Sequence, residues 1–372
     1  MAVYPTWKIR YGIGIESAGW GTGVAAGTKI PTNGPKGIWM NNLNINFDSG
    51  QEFADARKAT GVSYRKIAEY TQGLKKPNAS FEWEASAYNI APFLYGLFHK
   101  LAAGTEVEAA VTFIKTFLAY GLNPNYALVT GGTTPNWAAN DIPMSLSMTK
   151  DILQSGTTEG HRLEGCVPSS IKLSGTEGAP LMITVDMLAY DYDFNADATT
   201  SASYTVAQAG GADAAPLMWQ AATFQLANAA GTLTENNCSS WEATFTNNAV
   251  LKFGDAQNAN RVIFGNFGMT GSFTIPWDGA NTIVDDYNAG TDRLMFVYWG
   301  DGTVSSTGEL NIVANVRFTS AEMADADGEV VLNVGYEAVL DGTNHSAEGG
   351  ALPTTSPVQI QLYDGIDYGA EV

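Results

Sequence analysis

Cysteine and histidine are both scarce in this 372-residue chain, and each shortage argues against a class of site. Two cysteines and three histidines are present. Cys166 and Cys238 lie far apart and form no Cys-x-x-Cys motif, which argues against a zinc site and favours two free thiols, with a disulfide left open. His99, His161 and His345 stand alone in the sequence. They leave little material for a Ser-His-Asp triad or a metalloprotease.

Long apolar runs are missing as well. The longest candidate, residues 90–101, is interrupted by Pro92, His99 and Lys100, so it falls short of the about 18 apolar residues that a membrane span needs. The start of the sequence lacks the apolar stretch of a secretion signal. We therefore expect a soluble protein made in the cytoplasm, without a membrane partner.

Motifs for catalysis or ligand binding are incomplete. Residues 191–197 place four oxygen donors at alternate positions, but Ala196 and Ala202 stand where a calcium loop of the EF-hand type needs Gly and Glu. We interpret that stretch as part of an acidic linker, and 325–329 as a tight turn. The early glycines lack the strand, helix and Lys-Ser/Thr ending of a phosphate-binding loop. The sequence therefore predicts no catalytic residue, no cofactor and no metal.

Charge is scarce overall, and it is divided unevenly along the chain. The formal net charge is −19 with only 15% charged residues. Residues 1–100 hold 11 Lys and Arg against 7 Asp and Glu, and the remainder holds 8 against 31. Such a surface is not expected to bind nucleic acid, because attraction to phosphates needs clustered Lys and Arg.

Alternating apolar and polar residues predict a mainly β chain. Strands are predicted for 38–47, 81–88, 109–118, 145–152, 162–173, 181–189, 224–226, 241–246, 261–264, 271–277, 293–299, 309–319, 330–340 and 358–363. Helical spacing predicts one short helix over 90–100. Loops or linkers are predicted for 11–35, 48–76, 121–142 and 191–215. This spacing is typical of a sandwich or barrel.

One strand pattern occurs twice. Ser-Phe-Glu-Trp at 80–83 follows Gly73, and Ser-Phe-Thr-Ile-Pro-Trp at 272–277 follows Gly268 and Gly271. The match predicts an internal duplication with one β unit in residues 1–160 and a second, acidic one in 161–372. One unit with a decorating domain stays open as the alternative.

Three segments resemble the tail tube proteins of long-tailed bacteriophages. They are residues 16–22 (Glu-Ser-Ala-Gly-Trp-Gly-Thr), 163–173 and 268–275. The resemblance implies tandem β-sandwich or β-barrel units with a short flanking helix, whose sheets join side by side into a closed ring. Stacked rings would form the hollow tube of the virion tail, with an electronegative bore through which DNA passes without sticking.

The resemblance also implies partners. Copies of the chain would form rings of three, with six similar units, or rings of six, and other tail proteins would bind at the tube ends. Contacts between rings are expected in the Gly-rich arm (residues 11–35) and in the basic loop (residues 48–76). The candidates are Glu16, Trp20, Arg57, Lys58, Arg65, Lys66, Lys75 and Lys76.

Two other classes fit the composition. An acidic β-sandwich surface or carbohydrate-binding module would use exposed aromatic side chains to stack on sugars, but no export signal is seen. A β-sandwich hydrolase would need the catalytic groups that are scarce here.

Overall fold

Alternating strands account for most of the described structure. A computed structural model describes residues 9–15, 41–46, 51–53, 70–98, 105–108, 112–118, 145–153, 158–197, 216–227, 233–235, 237–277, 282–300, 308–326, 328–340, 345–347, 350–352 and 356–364. Up to residue 197 the elements are β1 (Ile9–Ile15), β2 (Asn41–Asn46), β3 (Gln51–Phe53), β4 (Tyr70–Gln72), β5 (Asn78–Glu84), α1 (Ala87–Phe98), β6 (Thr105–Glu108), β7 (Thr112–Leu118), β8 (Leu146–Leu153), β9 (Thr158–Thr176), β10 (Met182–Leu188) and β11 (Asp191–Asp197). A 3₁₀ turn (Trp219–Ala221) precedes β12 (Ala222–Ala227), β13 (Leu233–Glu235), β14 (Ser240–Thr246), β15 (Val250–Lys252), β16 (Arg261–Ile263), β17 (Gly268–Pro276), α2 (Ile283–Ala289), β18 (Asp292–Trp299), β19 (Glu309–Ala326), β20 (Glu329–Ala338), β21 (His345–Ala347), β22 (Gly350–Leu352) and β23 (Val358–Asp364).

The mainly β prediction is confirmed. Each predicted strand overlaps an observed strand, and the helix predicted for 90–100 is α1. The turn predicted at 325–329 joins β19 to β20 and contains Gly328, whose φ of +87° favours glycine. No sheet among the described strands closes into a barrel.

Three of the predicted loops contain strands, so those parts of the prediction were wrong. Segment 11–35 begins within β1, which pairs with β8. Segment 48–76 contains β3 and β4, which pair with each other, and 191–215 begins with β11, which pairs with β9. Composition failed here because pairing with a distant strand outweighs weak local preference. Loop 121–142 lies outside the described residues.

Eight strands form an antiparallel sheet that we call the polar-faced sheet. Its order is β2, β5, β10, β9, β14, β17, β20 and β19. The first four strands and the last four show the same arrangement: two strands, then a hairpin whose second strand lies inside. A helix follows the second strand in each group, α1 after β5 and α2 after β17.

A second layer is built from the long strands β9 and β19, which have 19 and 18 residues. Their N-terminal parts pair with β8 and β11 in one case and with β18 and β23 in the other. β1 extends the first arrangement beside β8, and β12 extends the second beside β18. The same topology is thus repeated beyond the polar-faced sheet.

One apolar core joins the two layers. Phe81 and Trp83 of β5 pack on Phe93 of α1, with ring centroids 5.1 and 5.0 Å away. Trp241 of β14 packs on Trp299 of β18 at 5.9 Å. Such aromatic pairs bury large areas and fix how the layers lie on each other.

The cysteines are free thiols, which confirms the prediction; Cys166 is buried and Cys238 is partly buried. Burial raises the pKa of Cys238 from 9.0 to about 12, and its Sγ donates a hydrogen bond to the Ser240 carbonyl at 3.0 Å. The folded chain favours the neutral thiol more strongly than the unfolded chain does. The stability that this thiol contributes is therefore fully present below pH 9 and is lost as the pH rises towards 12.

We therefore expect the free energy of unfolding to fall between pH 9 and 11, by at most about 1.4 kcal/mol per pH unit from this thiol. Urea unfolding at pH 8, 9, 10 and 11 measures it. Cys238→Ser is the control, because its hydroxyl does not titrate in this range. Equal pH profiles for the two proteins would contradict the assignment.

Candidate assembly surface

One face of the polar-faced sheet packs on the core and the other is polar. In β10 the side chains of Ile183, Val185 and Met187 are buried, while Asp186 between them is exposed. Strand period 2 carries the same alternation across the sheet. The polar positions of β9, β14 and β17 are mostly Ser and Thr.

Carboxylates outnumber cations on the polar face. Its described side chains include seven carboxylates, Glu82, Glu84, Asp186, Glu242, Glu322, Glu329 and Glu337, and two cations, Lys172 and Arg317; Asp292 of the adjoining β18 adds an eighth carboxylate. Both cations pair with carboxylates. Lys172 Nζ lies 2.7 Å from Glu242 Oε2, and Arg317 Nε lies 2.7 Å from Asp292 Oδ1. The potential over this face is therefore negative.

Side-chain hydrogen bonds connect neighbouring strands across the polar face. Ser170 Oγ donates to Asp186 Oδ2 at 2.8 Å, and Ser272 Oγ donates to Glu242 Oε1 at 3.2 Å. Thr274 Oγ1 donates to Asn333 Oδ1 at 2.8 Å. Cross-strand pairs of this kind hold the face together without apolar side chains.

The sheet has two open edges within the described structure. β2 pairs only with β5. At the other end, residues 318–326 of β19 pair only with β20, because β18 ends its pairing at Arg317. Unpaired N–H and C=O groups along such edges are a template for another strand.

Exposed apolar side chains gather near the β19 edge. Of the seven large apolar residues exposed in the described structure, Met323, Val330 and Leu340 belong to the β19–β20 hairpin or follow it directly. Met323 is 57% exposed, although its cross-strand neighbour Leu332 is fully buried. Residues directly opposite each other share a face of the sheet, so Met323 points to the core side. Nothing in the described part of the chain covers it there.

The predicted contact residues fall mostly outside the described structure. Glu16, Trp20, Arg57, Lys58, Arg65 and Lys66 are among the residues that the structure does not describe. Lys75 is partly buried within the chain: its Nζ lies 3.2 Å from Asp191 Oδ1 and 5.7 Å from the Tyr192 ring centroid. Lys76 is exposed. Their role between rings stays a prediction.

Sites of other kinds are not seen in the part of the chain that the structure describes. It contains no group of three or more His, Cys, Asp or Glu side chains that could hold a metal ion. Its helices are also too short or too polar to cross a membrane.

Comparison with known proteins decides the family. The family model described as phage tail tube protein matches residues 6–338. The chain belongs to the phage tail tube protein family. The match includes all eight strands of the polar-faced sheet. As a tail tube protein, the chain is a structural component of the phage virion tail, and the resemblance seen in the sequence is confirmed.

A phage tail tube is also among the solved structures that match this chain. The SPP1 tail tube, determined by solid-state NMR and cryo EM, is 15% identical, and the alignment covers 33% of this chain and 75% of that chain with a TM-score of 0.25. A search of curated protein sequences found no match.

Sequence reasoning on this tail tube protein missed the two residues that mark its open edge best. Met323 lies four residues beyond the predicted end of its strand, and Glu322 lies three beyond. Small and charged residues in 319–326 hid the strand, although the tight turn that follows was recognised.

Proposed function

We propose that this chain is a tail tube subunit with two tube units, and that three chains close into a ring of six units. The repeated strand order of the polar-faced sheet carries this proposal. The units are residues 9–197 and 222–364. The earlier division at residue 160 falls inside β9, so we place the boundary after β11.

Elements outside the sheet repeat in the same chain order. β1 corresponds to β12, β8 to β18, and β11 to β23, because each pair takes the same place beside a long strand. The small β3–β4 hairpin lies between β2 and β5, as β15–β16 lies between β14 and β17. This shared topology supports two duplicated tube units, and it argues against one tube unit with an unrelated decorating domain.

The polar face is proposed to line the bore. Copies joined at their open edges would continue the sheet into a closed wall, and its core side must face outward because α1 and the second layer cover it. The excess of carboxylates then lines the bore. DNA would pass through without binding, since like charges repel the phosphates. No catalytic step is required of this protein.

Rings are proposed to stack through the basic loop and its counterpart. The β15–β16 hairpin places Val250 opposite Ile263, both exposed, and Lys252 opposite Arg261, also exposed. Lys252 and Arg261 resemble the basic contacts predicted in segment 48–76, and Val250 and Ile263 add exposed apolar surface. Acidic surface on the neighbouring ring would complement them. Other tail proteins would meet the same surfaces at the tube ends.

Electron microscopy of the purified chain tests this function. We expect rings or hollow tubes in negative stain. Dispersed monomers that bind glycans would instead support a carbohydrate-binding module, and monomers with hydrolytic turnover would support an enzyme.

Charge reversal tests the bore. We expect tubes of Glu82→Lys/Glu84→Lys/Glu337→Lys to retain short duplex DNA at low salt about tenfold more strongly than wild-type tubes, because the added cations attract phosphate. Co-sedimentation with labelled DNA at two salt concentrations measures this. The Gln variants at the same positions separate loss of repulsion from gain of attraction. Equal retention by wild-type and Lys variants would show that this face does not line the bore.

A further inference from the structure

We propose that β2 of one copy pairs with residues 318–326 of the next copy in the register that joins β14 to β9 inside the chain. This inference rests on the proposed ring. It adds which strands meet and which residues lie opposite each other.

The internal junction supplies the template. β14 pairs with β9 antiparallel, with Ala243 opposite Leu173 and Thr244 opposite Lys172. Leu173 is fully buried there. This junction joins the two groups of four strands, so it shows how one unit continues the polar-faced sheet of the other. β7 also pairs with β23 between the units, but outside that sheet.

Two independent marks align β9 with β19. The β9–β10 and β19–β20 hairpins each have one β-bulge. In the first, Ser169 has no partner in the register because Pro168 and Ser170 lie opposite Met187 and Asp186. In the second, Thr319 has no partner in the register because Phe318 and Ser320 lie opposite Tyr336 and Gly335. Bulges are specific features that define register. Counting from them, Leu173 corresponds to Met323 and Lys172 to Glu322.

The repeated Ser-Phe pair gives the same alignment. Phe81 lies opposite Val185, which lies opposite Ile171, and Phe273 lies opposite Val334, which lies opposite Ala321. Ile171 therefore corresponds to Ala321, as the bulges also require.

The first strands of the two groups align through the same neighbours. Ile45 lies opposite Ala79, and Ala243 lies opposite Gly271. Since Ala79 and Gly271 both precede the Ser-Phe pair, Ile45 corresponds to Ala243. Copying the internal register to the open edges then places Ile45 of one copy opposite Met323 of the next, and Asn46 opposite Glu322.

This register accounts for the exposure of Met323. Its counterpart Leu173 is 0% exposed because β14 lies beside it, whereas Met323 is 57% exposed in the single chain. A neighbouring β2 would cover Met323 in the same way. The exposed edge is therefore the uncompleted half of a junction.

The two junctions differ in charge. At the internal junction Lys172 pairs with Glu242, 2.7 Å apart. Their counterparts at the junction between chains are Glu322 and Asn44, so the cation is replaced by a carboxylate and the ion pair is lost. The junction between chains therefore depends on backbone pairing and on burial of Met323.

A disulfide between the open edges tests the register. Residues directly opposite in an antiparallel pair have Cα atoms about 4.5–5.5 Å apart, within the range of about 4.4–6.8 Å that a disulfide accepts. Within one chain the two edges lie seven strands apart, about 33 Å along the sheet, so a bond must join two copies. We expect Ile45→Cys/Met323→Cys, oxidised after assembly, to give covalent dimers and closed trimers on denaturing gels.

Controls separate the register from the ring. Ile45→Cys/Ala321→Cys places the second thiol two residues away on the same face and should cross-link at least tenfold less. Preferential cross-linking of that control would overturn the register while leaving the ring intact. Rings that form but cross-link with neither pair would overturn the choice of edges. If the wild-type chain forms no rings at all, the proposed function fails, and the register with it.

Discussion

Replacing Met323 with aspartate is expected to abolish rings and tubes while leaving the chain folded. Met323 is 57% exposed in the single chain, so the change removes little buried contact there. In the proposed ring the same position would be buried opposite Ile45, where an unpaired carboxylate is costly. A closed ring would contain this junction at every contact between chains, so the penalty would apply several times.

Two measurements check this prediction together. Sedimentation velocity should show Met323→Asp as a monomer under conditions where the wild type forms large assemblies, and its thermal midpoint should match that of the unassembled wild type. Met323→Leu is the matched control, since leucine occupies the corresponding position 173. Tubes formed by the Asp variant at the wild-type rate would contradict a buried role for Met323.

The largest loss of stability is expected from Asp286→Ala, at about 3–5 kcal/mol. Arg293 and Asp286 are 8% and 7% exposed, and Arg293 Nε donates to Asp286 Oδ2 at 2.8 Å. A second guanidinium nitrogen of Arg293 donates to Asp286 Oδ1, and a third contacts the Ala227 carbonyl at 3.5 Å. Removing the carboxylate leaves a buried guanidinium without its anion. The pair also fixes α2 to β18, one of the strands of the second layer.

Urea unfolding of the unassembled chain measures this effect. The double variant Asp286→Leu/Arg293→Met should lose much less stability, because neither charge is then buried alone. Asp292→Ala is a second control: it removes the carboxylate from exposed Arg317, where water screens the pair. A loss for Asp286→Ala as small as that for Asp292→Ala would contradict the assigned role of the buried pair.

Local alternation was sufficient to predict most strands of the polar-faced sheet. Phe81 and Trp83, or Ile183 and Val185, alternate with polar residues because one face of each strand packs on the core and the other does not. Asp191–Asp197 failed this test: its alternating Asp and Asn residues favour loops, and its strand exists because β9 lies beside it. α2 was missed because seven residues with two aspartates give a weak helical pattern.

The assembly surface was less accessible to sequence reasoning than the strands. Charge counts predicted an acidic protein, but the polar face became visible only when register brought Glu242, Glu82 and Glu337 to the same side of one sheet. Met323 carries no signal in the sequence. Its proposed role is inferred from its correspondence to Leu173. That correspondence depends on two bulges and on pairing between distant strands.

The proposed duplication would change how a tube ring is specified. Within the polar-faced sheet, one of every two junctions between units would lie inside a polypeptide, where Lys172 pairs with Glu242. The other junction would form only on assembly and would lack that pair. Closure of the sheet would then depend on one pair of open edges for each chain.

A cryo-EM reconstruction of the assembled tube tests the central claim most directly. The two-unit account predicts threefold symmetry, three chains in each ring, and a bore wall made from eight strands of every chain with carboxylates facing the channel. Six chains in a ring would contradict it, as would a reconstruction in which β2 and residues 318–326 lie away from any neighbouring copy.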